Sequence, residues 1–461
     1  MWSVAAQHRL AYPADALDRC WKGVLLNQFH DILPGSSIAR VYQEARKLYD
    51  EILADAEQLT DKACRSLTSG AGRTYFNSLS WPRTALVRTE HGYGRVTIPP
   101  CGWTSRVDEC LPDVPVAAEM ENGEAVLNNG LLTLRINARG EITECRDAQG
   151  HSRINGRANV LRLYKDVPRL FDAWDIDSNY LRSPIALEDA GCISIVETTP
   201  WRAVVEVVRR VDSSDWTQRI SLEAGRMQID FETQVDWHEK HRLLKVAFPT
   251  GIHADEALNE IQFGYVKRPT HRSRPYDADR FEVCNHRYTA LCDENRGAAV
   301  LNESKYGVSM LGDEIDLTLL RAPTSPDLHA DQGAHRFTYS YYLWDGPFAQ
   351  CDVVRAGYEL NLPVTVADGA AEDFSLLSVD APNVIVETVK AAEDGSGDAI
   401  LRLYESKHAS CDAVLTLHLP AASVWACDML ENLREELPVG DGRVRLSFRP
   451  FEVKTLRLRR G

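Results

Sequence analysis

Apolar positions along the chain change period near residue 70, from helical spacing to alternation. Before that point, Leu17, Trp21, Val24, Leu25 and Phe29 recur at helical intervals behind Pro13. Ile38, Val41, Tyr42, Ala45, Leu48, Tyr49, Ile52, Ala56, Leu59, Ala63 and Leu67 then form one stripe of a second helix, about eight turns long. Ser36 or Ser37 can cap the start of that helix, and Ser69-Gly70 can end it. Two antiparallel helices joined by the Pro34-Gly35 turn cannot bury both apolar faces alone, so a third helix is expected. Residues 2–10 read as its tail, which implies that the chain begins inside a structural element.

From Arg73 onward the predicted elements are short strands: 85–88, 130–136, 202–208, 227–235, 297–302, 336–344, 399–404, 413–419 and a long run over 443–458. Alternation is plainest in LTLRI at 132–136 and VRLSF at 444–448, where every second residue is apolar, as in a half-buried strand. Many strands with no helices between them indicate β-sandwiches. The predicted class is α+β: a short N-terminal helical bundle followed by mostly antiparallel β-sandwich domains. The expected boundaries are a partial three-helix bundle over 1–70, a small β segment over 71–120, a large sandwich over 121–365 and a C-terminal β domain over 366–461.

Length agrees with several domains, because 461 residues exceed what one hydrophobic core usually spans. The formal net charge of -15 is spread along the chain. It argues against a nucleic-acid surface, which needs clustered Lys and Arg, and suits a neutral ligand such as a sugar. The 11 cysteines are scattered with no Cys-x-x-Cys pair, which is the usage of free thiols in a reducing compartment, so cytoplasm is expected. No apolar run is long enough for a membrane span, and the N-terminus lacks the form of a signal peptide.

Three segments carry candidate chemistry. In NQFHDILPGSS at 27–37 an amphipathic helix runs into His30 and Asp31 and then a Pro-Gly turn. Histidine is the commonest metal ligand, and a neighbouring carboxylate can share the metal or accept hydrogen bonds from hydroxyls; the bland alternative is a helix end with a surface His. In DVPRLFDAWDIDSNY at 166–180, Asp172, Asp175 and Asp177 interleave with Phe171 and Trp174, the mixture of ring faces and acceptors that sugar recognition uses. Two carboxyls there could form a glycosidase pair, although acids so close in sequence seldom converge, and a packing loop is the alternative. The third segment runs from RPTHR at 268–272 through Arg280, His286 and Arg287 to Lys305, and includes His271; it could line a polar cleft, but a charged β edge has the same composition. Phosphate-cradling loops, nucleophile elbows and His-Glu-x-x-His helices are missing from the sequence.

Taken together, these segments resemble the region downstream of the catalytic barrel in the glycoside hydrolase family 38 α-mannosidases, particularly the cytosolic and vacuolar branch. The likeness is carried by WKGVLLNQFHDILPGSSIARVY at 21–42, FNSLSWPR at 76–83, DAWD at 172–175, RPTHR at 268–272, LNESKYG at 301–307, LLRAP at 319–323, LYE at 403–405 and PFEVKTL at 450–456. The resemblance implies that His30 is a ligand of a divalent metal, zinc or in some members cobalt, and that Asp31 holds the metal site or substrate hydroxyls. Trp174, Asp175 and His271 are added as candidate substrate contacts by residue type, and the resemblance further implies a mannose-containing oligosaccharide as substrate and a retaining double displacement.

In that family the other metal ligands, the nucleophile and the acid/base come from an N-terminal barrel that these residues do not resemble. The expectation is therefore one wall of a metal-dependent α-mannosidase site, inactive and weakly metal-binding alone, with a barrel domain or chain as partner. The alternative is a non-catalytic carbohydrate-binding β-sandwich. No nucleic acid or membrane partner is expected, and oligomeric state is left open, a homo-oligomer being one option.

Overall fold

The computed structural model describes residues 1–90, 92–187, 191–419 and 421–460. The chain forms two compact units: one of Met1–Gln28, Ala45–Cys110 and Leu362–Gly461, the other of Phe29–Glu44 and Leu111–Asn361.

In the first unit the helical spacing becomes helix α2, Ala14–Leu26, which follows a single turn, α1, Trp2–Ala5. Helix α3, Ala39–Leu67, begins in the second unit and continues in the first. Gly23 of α2 faces α3 so closely that a Cβ there would stand 2.7 Å from Ile52 Cδ1. Trp2 packs edge-on against Phe76 with centroids 5.1 Å apart, and shares a core with Ala63, Cys64 and Leu67 from the end of α3 and with the β residues Leu401, Leu415 and Leu456.

Strand Ser69–Asn77 pairs with Thr365–Ala370, so the segment after the helices joins a sheet with residues far downstream. The predicted run over 443–458 is two strands, Arg443–Phe448 and Val453–Arg459, which belong to different sheets. Between them Pro450 cannot donate to a ladder and Phe451 adopts φ +58°, so the run must turn.

The second unit is an antiparallel sandwich. Among the described residues one sheet has nine strands, another has six, and a separate four-stranded meander spans 117–147. The two larger sheets bury a common core: Phe248 from the strand Arg242–Pro249 meets Phe231 at 5.7 Å and stacks on Tyr341 at 5.1 Å. Alternation along Arg242–Pro249 sends Leu244, Val246 and Phe248 into that core. Leu243 and Lys245 therefore face the other side, where Tyr164, Tyr180 and Phe281 cover Leu243. The strand Gly264–Pro269 lies at an edge of the nine-stranded sheet, which matches the edge reading of the RPTHR segment. Every cysteine among the described residues is free, and no described helix is long and apolar enough to cross a membrane.

Candidate functional site

The site is built within the second unit from two segments, 29–44 and 166–182. After Phe29 the chain coils into a tight turn in which the amides of Ile32 and Leu33 both donate to the Phe29 carbonyl, at 2.9 and 3.0 Å. Gly35 follows Pro34 at φ +84°, a conformation that glycine adopts without Cβ strain. Tyr42, on the first turn of α3, closes the loop: its hydroxyl accepts from the Ser37 amide at 2.8 Å and donates to the Asp31 carbonyl at 3.1 Å. Burial raises the Tyr42 phenol above its usual range, and Asp327, Asp331 and Asp31 add to the effect. The outcome is a fixed turn that presents His30 and Asp31 to solvent, with His30 Nε2 3.4 Å from Asp31 Oδ2.

The second segment contributes Trp174. Phe171 takes φ +55°, and its carbonyl accepts the amides of Trp174 and Asp175, both at 2.8 Å, which makes a compact turn over 171–175. The exposed indole of Trp174 stands edge-on to His30, with ring centroids 6.2 Å apart and planes at 85°. Phe29 lies beside the same imidazole, with centroids 4.4 Å apart. Three residues singled out in the sequence, His30, Asp31 and Trp174, are thus on neighbouring loops.

The acids around Trp174 are mostly engaged in holding the loop. Asp172 Oδ2 accepts the amides of Thr324 at 2.7 Å and Ser325 at 3.1 Å and the Thr324 hydroxyl at 3.3 Å, and His241 Nε2 stands 3.6 Å away. Asp177 Oδ2 accepts the Arg169 amide at 2.8 Å. Asp175 Oδ1 accepts the next amide, Ile176, at 2.9 Å, while the rest of its carboxylate is exposed. One oxygen of Asp172 thus holds the loop, whereas Asp175 accepts a single amide and keeps an exposed side chain.

Two residues that the sequence did not mark as candidates complete the support. Arg321 donates to the Asp166 carboxylate at 2.7 Å and to the carbonyls of Asp172 and Asp175 at 3.3 and 2.9 Å. Burial raises the Asp166 carboxyl above the usual range, with Arg321 opposing. Tyr180 donates to Glu282 at 2.6 Å, and Glu282 pairs with Lys245, which has no exposed surface. Burial and Glu282 push the Tyr180 phenol well up.

His271 sits apart from these loops, its Nδ1 3.9 Å from Asp277 Oδ2, where Arg274 also binds Asp277. Among the described residues no group of three or more His, Cys, Asp and Glu side chains converges as a metal site. His30 and Asp31 are chemically suited donors, but zinc takes three or four protein ligands, so they fit as part of a set and do not make one alone.

Three family models match the chain: the α-mannosidase middle domain over residues 1–67, the glycosyl hydrolases family 38 C-terminal domain over 127–329 and the family 38 C-terminal β-sandwich domain over 383–456. Alpha-mannosidase 2C1 of Mus musculus is 35% identical over 99% of this chain and 47% of its own length. Alpha-mannosidase G of Dictyostelium discoideum is 30% identical over 96% of this chain and 48% of its own. The chain spans about half the length of the curated relatives it matches. A solved α-mannosidase structure from Enterococcus faecalis V583 has the same fold, with a TM-score of 0.81 at 16% identity, covering 99% of this chain and 65% of that one.

Proposed function

Because the chain belongs to glycosyl hydrolase family 38, whose middle and C-terminal domains it carries, we propose that it forms one wall of a metal-dependent retaining α-mannosidase acting on terminal α-mannosyl residues of oligosaccharides. The observation that carries this reading is the placement of His30 and Asp31 beside the exposed Trp174. In it His30 holds a divalent ion, zinc or cobalt, through a ring nitrogen, together with donors from a barrel domain. Asp31 accepts hydrogen bonds from substrate hydroxyls or supports the metal, and Trp174 covers the C–H face of a sugar. When bound, such an ion supplies electrostatic stabilisation as oxocarbenium character develops. Asp175 and His271 are further candidates for substrate contact.

The nucleophile and the acid/base are assigned to no residue of this chain; the retaining reaction needs two carboxyls about 5–5.5 Å apart, and the reading places both in the partner barrel. A cytoplasmic setting agrees with the free cysteines.

The test is hydrolysis of an aryl α-mannoside. The purified 461-residue chain, with zinc or cobalt added, is expected to show no turnover, whereas a chain that also carries a family 38 barrel is expected to turn over and to lose activity on chelation. Turnover by the 461-residue chain that survives chelation and disappears on changing its own carboxylates would sink the reading. The exposed Trp174 also favours a second reading, glycan binding without chemistry. Calorimetry with mannose oligosaccharides separates the two, since binding by this chain alone should then vanish in Trp174→Ala.

A further inference from the structure

The loop that carries Trp174 has little sheet structure of its own, yet its indole is held at one angle to His30. Asp172 lies in the same turn, over 171–175. There Asp172 points inward, its side chain 16% exposed, and one oxygen receives two successive backbone amides, Thr324 and Ser325, together with the Thr324 hydroxyl. Charge-assisted bonds to a carboxylate are about twice as strong as neutral ones, and two amides converging on one oxygen fix direction as well as distance. The Thr324 hydroxyl is itself 2.7 Å from His241 Nε2, which ties down the donor side of these bonds. Arg321 grips the carbonyls on either side of Trp174, those of Asp172 and Asp175.

We propose that Asp172 is a positioning residue: by anchoring the turn to the Thr324 and Ser325 amides it sets the Trp174 indole against His30, and so fixes the ring on which a substrate sugar rests. The last clause depends on the mannosidase reading; the positioning does not. Asp172 touches no reacting atom in this scheme. Its removal releases the turn, and the indole leaves the imidazole while the sandwich core, formed elsewhere, persists.

The positioning is read without catalysis, from the ring current of Trp174 at His30. In the 461-residue chain labelled with 13C at histidine Cε1, the His30 signal is identified by its loss in His30→Gln. Trp174→Ala gives its position without the indole. Asp172→Ala is expected to move the signal most of the way to the Trp174→Ala position while the other histidine signals outside the loop stay in place. Should Asp172→Ala fail to fold, Asp172→Asn, which keeps the shape but loses the charge, is expected to move the signal part of the way in the same direction. A His30 signal that stays at its wild-type position in a folded Asp172 variant, or that Trp174→Ala leaves unmoved, overturns the proposal.

In a chain that also carries the barrel, Asp172→Ala is expected to raise KM for an aryl α-mannoside about three- to tenfold at unchanged kcat, the range for loss of one aromatic contact. Simple loss of folded protein would instead lower the apparent kcat at unchanged KM. A displaced His30 signal with KM unchanged upholds the positioning and overturns the role of Trp174 in the sugar site.

Discussion

The imidazole of His30 and the indole of Trp174 meet edge-on at 6.2 Å, although one follows a helix near the N-terminus and the other lies on a loop of the β-sandwich. Such a contact contributes about 0.5–1.5 kcal/mol. It also leaves His30 Nε2 beside Asp31 on an exposed rim, where further ligands can approach. If His30 is a metal ligand, His30→Ala in a barrel-containing chain should lower metal affinity by well over the ~10–100-fold typical of losing a supporting residue. Equilibrium dialysis with zinc or cobalt measures this. An affinity equal to wild type removes His30 from the ligand set.

The buried ion pair beneath the Trp174 loop invites a double-mutant cycle. Lys245 has no exposed surface and its ammonium is matched by Glu282, which also accepts from Tyr180. Glu282→Gln removes the direct partner of Lys245 and leaves Asp316 as a nearby carboxyl, so it should cost up to about 3–5 kcal/mol in urea unfolding, the range for a fully unmatched buried charge. Replacing both, as in Lys245→Met with Glu282→Leu, should recover most of that loss. A loss in the double variant equal to the sum of the losses in Lys245→Met and Glu282→Leu alone would mean that the pair contributes as two independent groups.

How much of this was legible in advance differs by element. The helices were, because Leu48, Ile52 and Leu59 repeat at a period that nothing but a helix satisfies, and α2 and α3 appear where that period runs. Both halves of 443–458 carry apolar residues, so the pattern gives one run; the break lies in Pro450 and in the left-handed Phe451, whose backbone angle composition does not reveal. His30 and Trp174 were each marked by residue type, but their contact depends on the packing of the 29–44 segment and is invisible to local pattern. The type of Asp172 alone is compatible with a sugar contact, a glycosidase acid or a packing loop. Its partners, the Thr324 and Ser325 amides, are backbone groups far along the chain, and side-chain identity carries no signal for them. Arg321 stood in the LLRAP segment, and its grip on two carbonyls was equally hidden.

Gly23 tests the packing of α2 on α3. An alanine Cβ would stand 2.7 Å from Ile52 Cδ1 and 3.4 Å from Leu48 Cδ1. The first is the tip of a flexible side chain, which can shift, and alanine gains about 0.5–1 kcal/mol of helix stability over glycine. Gly23→Ala should therefore leave the stability of the chain within about 1 kcal/mol of wild type. Gly23→Val adds two methyls that have no such escape and should cost about 1–3 kcal/mol, as overpacking does. Thermal unfolding of the two variants decides it; a valine as well tolerated as alanine would show that the helices have slack there.

Asp316 predicts a pH dependence with a definite sign. It lies on the strand Glu314–Arg321, 6% exposed, and Arg162 stands 3.6 Å away. Burial raises its carboxyl to about 6 despite Lys245 and Arg162, which pull it down. A folded-state value above the unfolded ~3.9 means that the native state holds this proton more tightly, so the group contributes stability below about pH 4 and loses that contribution as pH rises through 6. Over that window the loss amounts to roughly 3 kcal/mol at most, two units at ~1.4 kcal/mol each. Asp316→Asn cannot ionise and removes the slope. The stability of the variant relative to wild type should therefore grow between pH 4 and 6.5 and level off above, when both are unfolded in urea at a series of pH values. A difference that is flat across the window would mean that Arg162 and Lys245 cancel the effect of burial, and one that grows toward acid would mean that they outweigh it; either result overturns the raised value.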